Sequence, residues 1–156
     1  MFREMRRSDK IKTQEETIPI LNECTNGTLS VIGDNGYPYG VPVSYVYKDN
    51  KIYFHCASVG HKLDAIKAEP KVSFTVVGAD NIAPEKFTTM YKSVICFGKA
   101  AISESDEDKM AALNIIREKY SGDFPAEGAA YIEKFWDKTT VVVIDIEHMT
   151  GKGLAK

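Results

Sequence analysis

The chain has 156 residues, 44% of them hydrophobic, so it can bury one substantial core but has no room for two independent domains. We therefore expect a single domain over residues 1–156. Its 20 Lys and Arg nearly balance its 22 Asp and Glu. With no overall basic field to gather a phosphate backbone, nucleic acid is not expected as a partner.

The cysteines and the N-terminus point to a reducing compartment. Cys24, Cys56 and Cys96 are odd in number and widely spaced, which suits free thiols better than a disulfide framework. The basic N-terminus leads directly into polar residues, and no apolar run is long enough to span a bilayer. We expect a cytoplasmic protein that makes no membrane contact.

The first third of the chain reads as one helix followed by short strands. Thr13 and Glu16 have the spacing of a capping box, which predicts a short helix that ends near Cys24. Alternating apolar and β-branched residues between turn signals then predict a three-stranded meander. Its strands cover residues 28–31, 37–47 and 51–56, and its turns cover residues 34–36 and 48–50.

The rest of the chain alternates strands with helices. Helices are predicted at 61–68, 106–120 and 128–136, strands at 71–77, 91–102 and 141–146, and a loop at 78–86. Gly98 is expected to mark a bulge or bend in its strand. The pattern indicates a mainly-β protein of the α+β class, in which a six-stranded antiparallel sheet closes or nearly closes into a split barrel with flanking helices.

A candidate anion site lies where the strand over 51–56 opens through a loop of small residues into a helix. Free backbone N–H groups at a helix N-terminus bind phosphate, and Ser58, His61 and Lys62 could add a hydroxyl and two cations. The alternative is that Gly60 only turns the chain, and that His61 and Lys62 are solvated residues of the first turn.

Two segments carry a family resemblance. The sequences GYPYGVPVSYVY at 36–47 and IYFHCASVGHKL at 52–63 resemble the pyridoxamine 5′-phosphate oxidase-like flavoproteins, specifically the nitroimidazole-resistance (Nim-type) branch. Segments 5–9, 91–100 and 146–152 look similar too, so the resemblance covers nearly the whole chain. It implies an FMN-binding split-barrel homodimer with the cofactor at the subunit interface, hence two sites per dimer.

The resemblance also implies which residues hold FMN. They are Val41, Pro42, Val43 and Ser44 along the isoalloxazine; His55 and Cys56 beside the ribityl chain or the ring; Ser58, His61 and Lys62 at the phosphate; and Tyr91 and Ser93 on a neighbouring strand. His61 stands where many relatives have Arg, which implies a weaker and pH-dependent cation. His55 is the implied catalytic residue; the alternative is a strand histidine that donates to a nearby carbonyl.

The function implied is an FMN-dependent oxidoreductase that passes electrons from reduced flavin to a small aromatic or nitro-substituted acceptor. One alternative is a non-catalytic protein that binds flavin, or that binds haem through His55 or His148. A pyridoxamine 5′-phosphate oxidase is a further alternative, disfavoured because Arg117 is the sole arginine of the C-terminal third. His55, Cys56, His61 and Asp64 match no closed zinc pattern, so no metal is expected.

Overall fold

The structure, a computed structural model, describes residues 1–154. Within that range the α-helices are α1 (Gln14–Glu23), α2 (His61–Ala68), α3 (Asp106–Ser121) and α4 (Pro125–Phe135). The strands are β1 (Ile11–Lys12), β2 (Asn26–Ile32), β3 (Pro38–Ser44), β4 (Val46–Lys48), β5 (Lys51–Ala57), β6 (Lys71–Ala83), β7 (Thr88–Ile102) and β8 (Thr139–Gly153). None of the described helices is both long and apolar enough to cross a membrane.

All strands belong to one antiparallel sheet that curls on itself. The strand order is β3-β2-β6-β7-β8-β5-β4, with β1 paired to the outer end of β8. β3 and β4 lie at opposite ends of this order, yet only Tyr45 separates them in the chain. The two ends of the sheet therefore meet at one residue and then diverge, which is consistent with a split barrel.

The mainly-β character of the prediction is confirmed, but the number of strands is wrong. The described residues form eight strands instead of six, because the predicted strand over 37–47 is divided at Tyr45 and because β1 adds a short strand. The predicted three-stranded meander is also wrong. β3 pairs only with β2, whereas β5 pairs with β4 and β8, so the two hairpins lie at opposite ends of the sheet.

Two further differences concern strand length. The predicted loop at 78–86 is mostly strand, since β6 continues to Ala83 against β7 after a register shift next to Gly78. β8 also extends well beyond the predicted 141–146. The irregularity expected at Gly98 is confirmed: the β7–β8 register shifts between Phe97 and Gly98, and a Cβ at Gly98 would collide with the backbone of Asp145.

The helices pack against the sheet, α1 on β6, β7 and β8, and α3 on β5 and β8. The capping box is confirmed, since the Thr13 N–H donates to the Glu16 carboxylate at 2.8 Å and the Glu16 N–H donates to Thr13 Oγ1 at 3.3 Å. α1 and α2 add apolar side chains to a core built from alternate strand residues. That core includes Leu21, Leu29, Ile52, Phe54, Leu63, Phe74, Val94 and Ile144.

A tyrosine from α3 holds the point where the sheet divides. The hydroxyl of Tyr120 accepts from the Tyr45 N–H at 3.0 Å, and the carbonyl oxygens of Tyr45 and Thr25 lie 2.5 and 2.8 Å from it. Tyr45 is fully buried and belongs to neither flanking strand, so its backbone groups have no sheet ladder to join. Tyr120 thus replaces strand pairing at this residue.

We expect Tyr120→Phe to lower the free energy of unfolding by about 1–3 kcal/mol, because the Tyr45 carbonyl loses its donor and the Tyr45 N–H keeps only a long bond of 3.4 Å to the Thr25 carbonyl. Urea unfolding followed by circular dichroism measures the change. Tyr131→Phe is the control, since the Tyr131 side chain is 63% exposed on α4 and should change stability by less than about 0.5 kcal/mol. Equal stability of the two variants would contradict the role assigned to Tyr120.

Candidate functional site

The candidate site lies where β3 and β5 separate. Val46 of β4 pairs with Tyr53 of β5, so Ser44 and His55 lie just beyond the end of this ladder, where the two strands diverge. β3 is an end strand, and its second edge forms no ladder with another described strand. Backbone N–H and C=O groups on such an edge are free to bind a polar ligand.

The alternation of side chains divides the predicted residues between two faces. Val41, Val43 and Cys56 pack inward against the core. Pro42, Ser44 and His55 are exposed on the other face. The inward residues could therefore contact a cofactor on the outer face only through their backbone, and Pro42 supplies no N–H.

The start of α2 forms an open cradle beside this edge. Gly60 has φ 148°, and a Cβ built there meets no atom within 4 Å, so a ligand can approach the backbone closely. The N–H groups of Leu63 and Asp64 donate to the Gly60 carbonyl at 3.0 and 3.2 Å. The N–H groups of His61 and Lys62 precede them in the first turn and have no intrahelical acceptor. This arrangement suits a phosphate.

Lys62 and Ser58 are polar residues that flank Gly60, the residue at the start of the cradle. Lys62 is half-buried, and its charge acts on the Cys56 thiol. Burial raises the pKa of Cys56, and the nearby charge of Lys62 lowers it by a smaller amount, so the net pKa is raised. The thiol therefore stays protonated at neutral pH and contributes an apolar surface to the site. Ser58 Oγ donates to the Asp137 carbonyl over a long 3.5 Å, a weak bond that a better acceptor could replace.

His61 is oriented differently from Lys62. Its imidazole stacks on the Tyr39 ring, with the centroids 4.5 Å apart, and Nε2 lies 3.5 Å from the Asp34 carboxylate. The side chain thus lies against the β2–β3 hairpin, where Asp34 opposes the attraction of an anion. His61 therefore offers the cradle its backbone N–H, and Lys62, for which no ion pair occurs among residues 1–154, is the side-chain cation left for an anion.

His55 lies on the outer face of β5, opposite Val141 of β8. Partial burial of the imidazole lowers the pKa of His55 below its ordinary value. No hydrogen bond joins its ring to the part of the chain that the structure describes, so the alternative of a ring that donates to a nearby carbonyl is not observed. Trp136 packs in the same small cluster as Val141 and bounds this side of the site.

Trp136 and its neighbours belong to the surroundings of the site that sequence reasoning did not assign. Lys109 of α3 donates to the Trp136 carbonyl at 2.7 Å and lies 4.3 Å from the centre of its ring. Asp34, Tyr39 and Asp137 also touch predicted site residues. Asp34 and Tyr39 lie in segments that the sequence identified, but their contacts with His61 join distant parts of the chain, which a local pattern does not predict.

Tyr91 and Ser93 do not reach this place within one chain. Ser93 pairs with Lys152 of β8, whereas His55 pairs with Val141. These two positions of β8 are eleven residue steps apart, about 36 Å along the strand. Within one chain, β7 is not adjacent to the strands of the site: β8 lies between β7 and β5, and β6 and β2 lie between β7 and β3. The contribution of Tyr91 and Ser93 to a cofactor site stays a prediction.

The structure also bears on the metal alternative. His55 and Cys56 point to opposite faces of β5, so their side chains cannot share an ion. Among residues 1–154, no group of three or more His, Cys, Asp or Glu side chains has the geometry to hold a metal.

Comparison with known proteins assigns the family. The sequence model of the family described as pyridoxamine 5′-phosphate oxidase matches residues 13–153. The chain belongs to the pyridoxamine 5′-phosphate oxidase family. No curated protein matches the sequence of this chain.

Solved structures share the fold at low sequence identity. One is a candidate 5-nitroimidazole antibiotic resistance protein from Bacteroides thetaiotaomicron, with 23% identity, TM-score 0.78, and 92% of this chain and 85% of the other covered. A second is an FAD-binding protein from Mesorhizobium loti, with 19% identity, TM-score 0.69, and 94% and 98% covered. A third is a haem storage protein from Vibrio cholerae, with 14% identity, TM-score 0.70, and 91% and 96% covered.

Proposed function

We propose that this protein binds FMN where β3 and β5 separate, and that it passes electrons from the reduced flavin to a small aromatic or nitro-substituted acceptor. The observation that carries the proposal is the convergence of three features at one place: an unpaired strand edge, a phosphate cradle and an exposed histidine. Membership of the pyridoxamine 5′-phosphate oxidase family supports a flavin. The nitroimidazole-resistance neighbour supports the class of acceptor.

The side chains present fit FMN in chemical terms. The phosphate would be held by Lys62, by the Ser58 hydroxyl and by the first N–H groups of α2. The residues from Val41 to Ser44 would offer backbone groups to the polar edge of the isoalloxazine ring. The cradle holds one well-placed lysine at one helix start, which suits the single terminal phosphate of FMN better than the diphosphate of FAD.

The chemistry is divided between cofactor and protein. When bound, the flavin supplies the electrons. Reduction of a nitro group to a nitroso group also consumes two protons and releases water, so the site needs a proton donor. His55 faces the same side as the unpaired edge of β3, and we assign it that role. Val141 and Trp136 exclude water on the side of His55 that faces α4.

We further propose a homodimer with FMN at the subunit interface. Tyr91 and Ser93 lie about 36 Å along the strand from the position of His55, so they could contribute to a site only from a second copy. Ile95 and Phe97, further along β7, present large apolar side chains to solvent. A two-fold arrangement would cover this face and complete two equivalent sites.

The first test is an absorption spectrum of the freshly purified protein, followed by mass identification of what heat releases. We expect flavin bands and released FMN. Release of FAD would contradict the choice of FMN but leave a flavoprotein. A colourless protein that also ignores added FMN would contradict the proposal. Multiple turnovers with a nitroaromatic acceptor would then separate an oxidoreductase from a protein that only binds flavin.

The two other candidate functions have less support. His55 and His148 lie on different parts of the sheet, and the His148 ring is already stacked on Phe2 at 4.7 Å, so a haem would have a single histidine at most. Arg117, the arginine that a substrate phosphate would need, packs against Gly128 and lies 3.4 Å from the Pro125 carbonyl. Haemin titration and an oxidase assay with pyridoxamine 5′-phosphate test these alternatives.

A further inference from the structure

The last turn of α3 contacts both chain segments that meet where the sheet divides. Lys119 Nζ donates to the Cys24 carbonyl at 2.6 Å and lies 4.7 Å from the centre of the Tyr45 ring. The Tyr120 hydroxyl lies within hydrogen-bond distance of the Thr25 and Tyr45 carbonyl oxygens. Cys24 and Thr25 lead into β2, whereas Tyr45 follows β3. One helix end therefore holds the entrance to β2 and the exit from β3 together.

The side chain of Tyr45 is fixed independently of Tyr120. It is fully buried, its hydroxyl donates to the Leu21 carbonyl at 2.8 Å, and its ring packs edge-on against Phe74 with the centroids 5.0 Å apart. With the ring held in the core, the freedom that remains at this residue is the orientation of its two peptide groups. Tyr120 acts on both, because its hydroxyl accepts from the Tyr45 N–H and lies 2.5 Å from the Tyr45 carbonyl oxygen.

The Tyr45 N–H sets the direction of the Ser44 carbonyl. Both groups belong to one planar trans peptide, in which the N–H and the C=O point in opposite directions. The N–H points toward the β2 side, to the Tyr120 hydroxyl at 3.0 Å and the Thr25 carbonyl at 3.4 Å. The Ser44 carbonyl therefore points away from β2, to the edge of β3 that pairs with no other described strand. This places a backbone acceptor at the candidate site.

We propose that Tyr120 is a positioning residue of the flavin site, which holds the Ser44 carbonyl in the direction that accepts the N–H of the flavin pyrimidine ring. The inference rests on the proposed function, in which residues 41–44 face the polar edge of the isoalloxazine. That edge carries one N–H between two carbonyl groups, so a backbone acceptor in a fixed direction recognises it. Without the Tyr120 hydroxyl, the peptide between Ser44 and Tyr45 keeps only the long bond to Thr25, and the acceptor loses its fixed orientation.

Binding of FMN and of its N3-methyl analogue, which lacks this N–H, tests the inference. We expect methylation to weaken binding to the wild type about five- to tenfold, the effect of one hydrogen bond. Tyr120→Phe should weaken FMN binding by a similar factor and should leave binding of the methylated analogue unchanged. A general loosening of the fold would instead weaken both ligands equally. Ile116→Val, a buried change on the same helix that also lowers stability, should leave both affinities unchanged.

The outcomes separate this inference from the flavin proposal. Equal weakening of both ligands by Tyr120→Phe, or no weakening of either, would overturn the positioning role and leave the flavin proposal standing. Equal affinity of the wild type for the two ligands would also overturn it, and this measurement does not depend on how well the variant folds. A wild type that binds neither ligand would refute the flavin proposal and this inference together.

Discussion

His55→Ala is expected to lower the rate of nitroaromatic reduction by about a hundredfold, the smaller end of the range for loss of a general acid. FMN affinity should change little, because the phosphate cradle at α2 does not use this side chain. Stopped-flow reoxidation of the reduced protein by the acceptor measures the step directly, without interference from the reductant.

The pH dependence gives a second signature of His55. Burial lowers its pKa, so the imidazolium that donates the proton is populated only below the usual histidine value of about 6.5. As pH rises through this lowered pKa, the donor is lost and the rate falls. We expect a rate that increases toward acid pH with an apparent pKa below 6.5 in the wild type.

His55→Gln is the matched variant for this prediction. Glutamine keeps hydrogen-bonding groups of similar reach but cannot titrate between pH 5 and 8. The acid limb of the profile should therefore disappear in both His55→Gln and His55→Ala. If His55→Ala keeps the wild-type flavin spectrum, reductase rate and pH profile, His55 is a structural strand residue.

Lys62→Ala is expected to weaken FMN binding by about ten- to a hundredfold, which corresponds to the roughly 1.5–3 kcal/mol of a hydrogen bond to a charged group. The loss arises because the phosphate would retain only the Ser58 hydroxyl and the N–H groups of α2. Quenching of flavin fluorescence during titration of the apoprotein measures the affinity. The difference from wild type should shrink at high ionic strength.

Lys67→Ala is the control on the same helix. Lys67 lies exposed in the last turn of α2, at the end where the dipole is unfavourable to an anion, and its loss should leave FMN affinity unchanged. Lys62→Arg should retain most of the affinity, since it keeps the charge. Equal FMN affinity in Lys62→Ala and wild type would contradict the proposal that the phosphate binds in this cradle.

The cradle at α2 was predictable because its signals are local. A strand that runs through small residues into a helix start has a recognisable sequence, and the open backbone at Gly60 agrees with it. The placement of His61 was not predictable in this way. Its stacking on Tyr39 and its approach to Asp34 depend on how the β2–β3 hairpin folds back over α2.

The separation of Tyr91 and Ser93 from His55 shows a second limit of prediction from the sequence. Their strand was correctly predicted, but its neighbours in the sheet were not. Alternation along a strand states which side chains share a face, and it carries no information about which distant strand lies beside it. The same limit explains why the three-stranded meander was wrong: at Tyr45, where the sheet divides, the backbone N–H donates to the hydroxyl of Tyr120, 75 residues later.

By itself, the sequence determined the local and periodic features of this protein. These are the capped start of α1, the cradle before α2, the bulge near Gly98 and the mainly-β class. Only the tertiary structure decided where the sheet divides, that β6 continues to Ala83 against β7, and that one chain does not bring all predicted site residues together. Each of these depends on pairing between distant segments, whose free energy comes from contacts that no local pattern encodes.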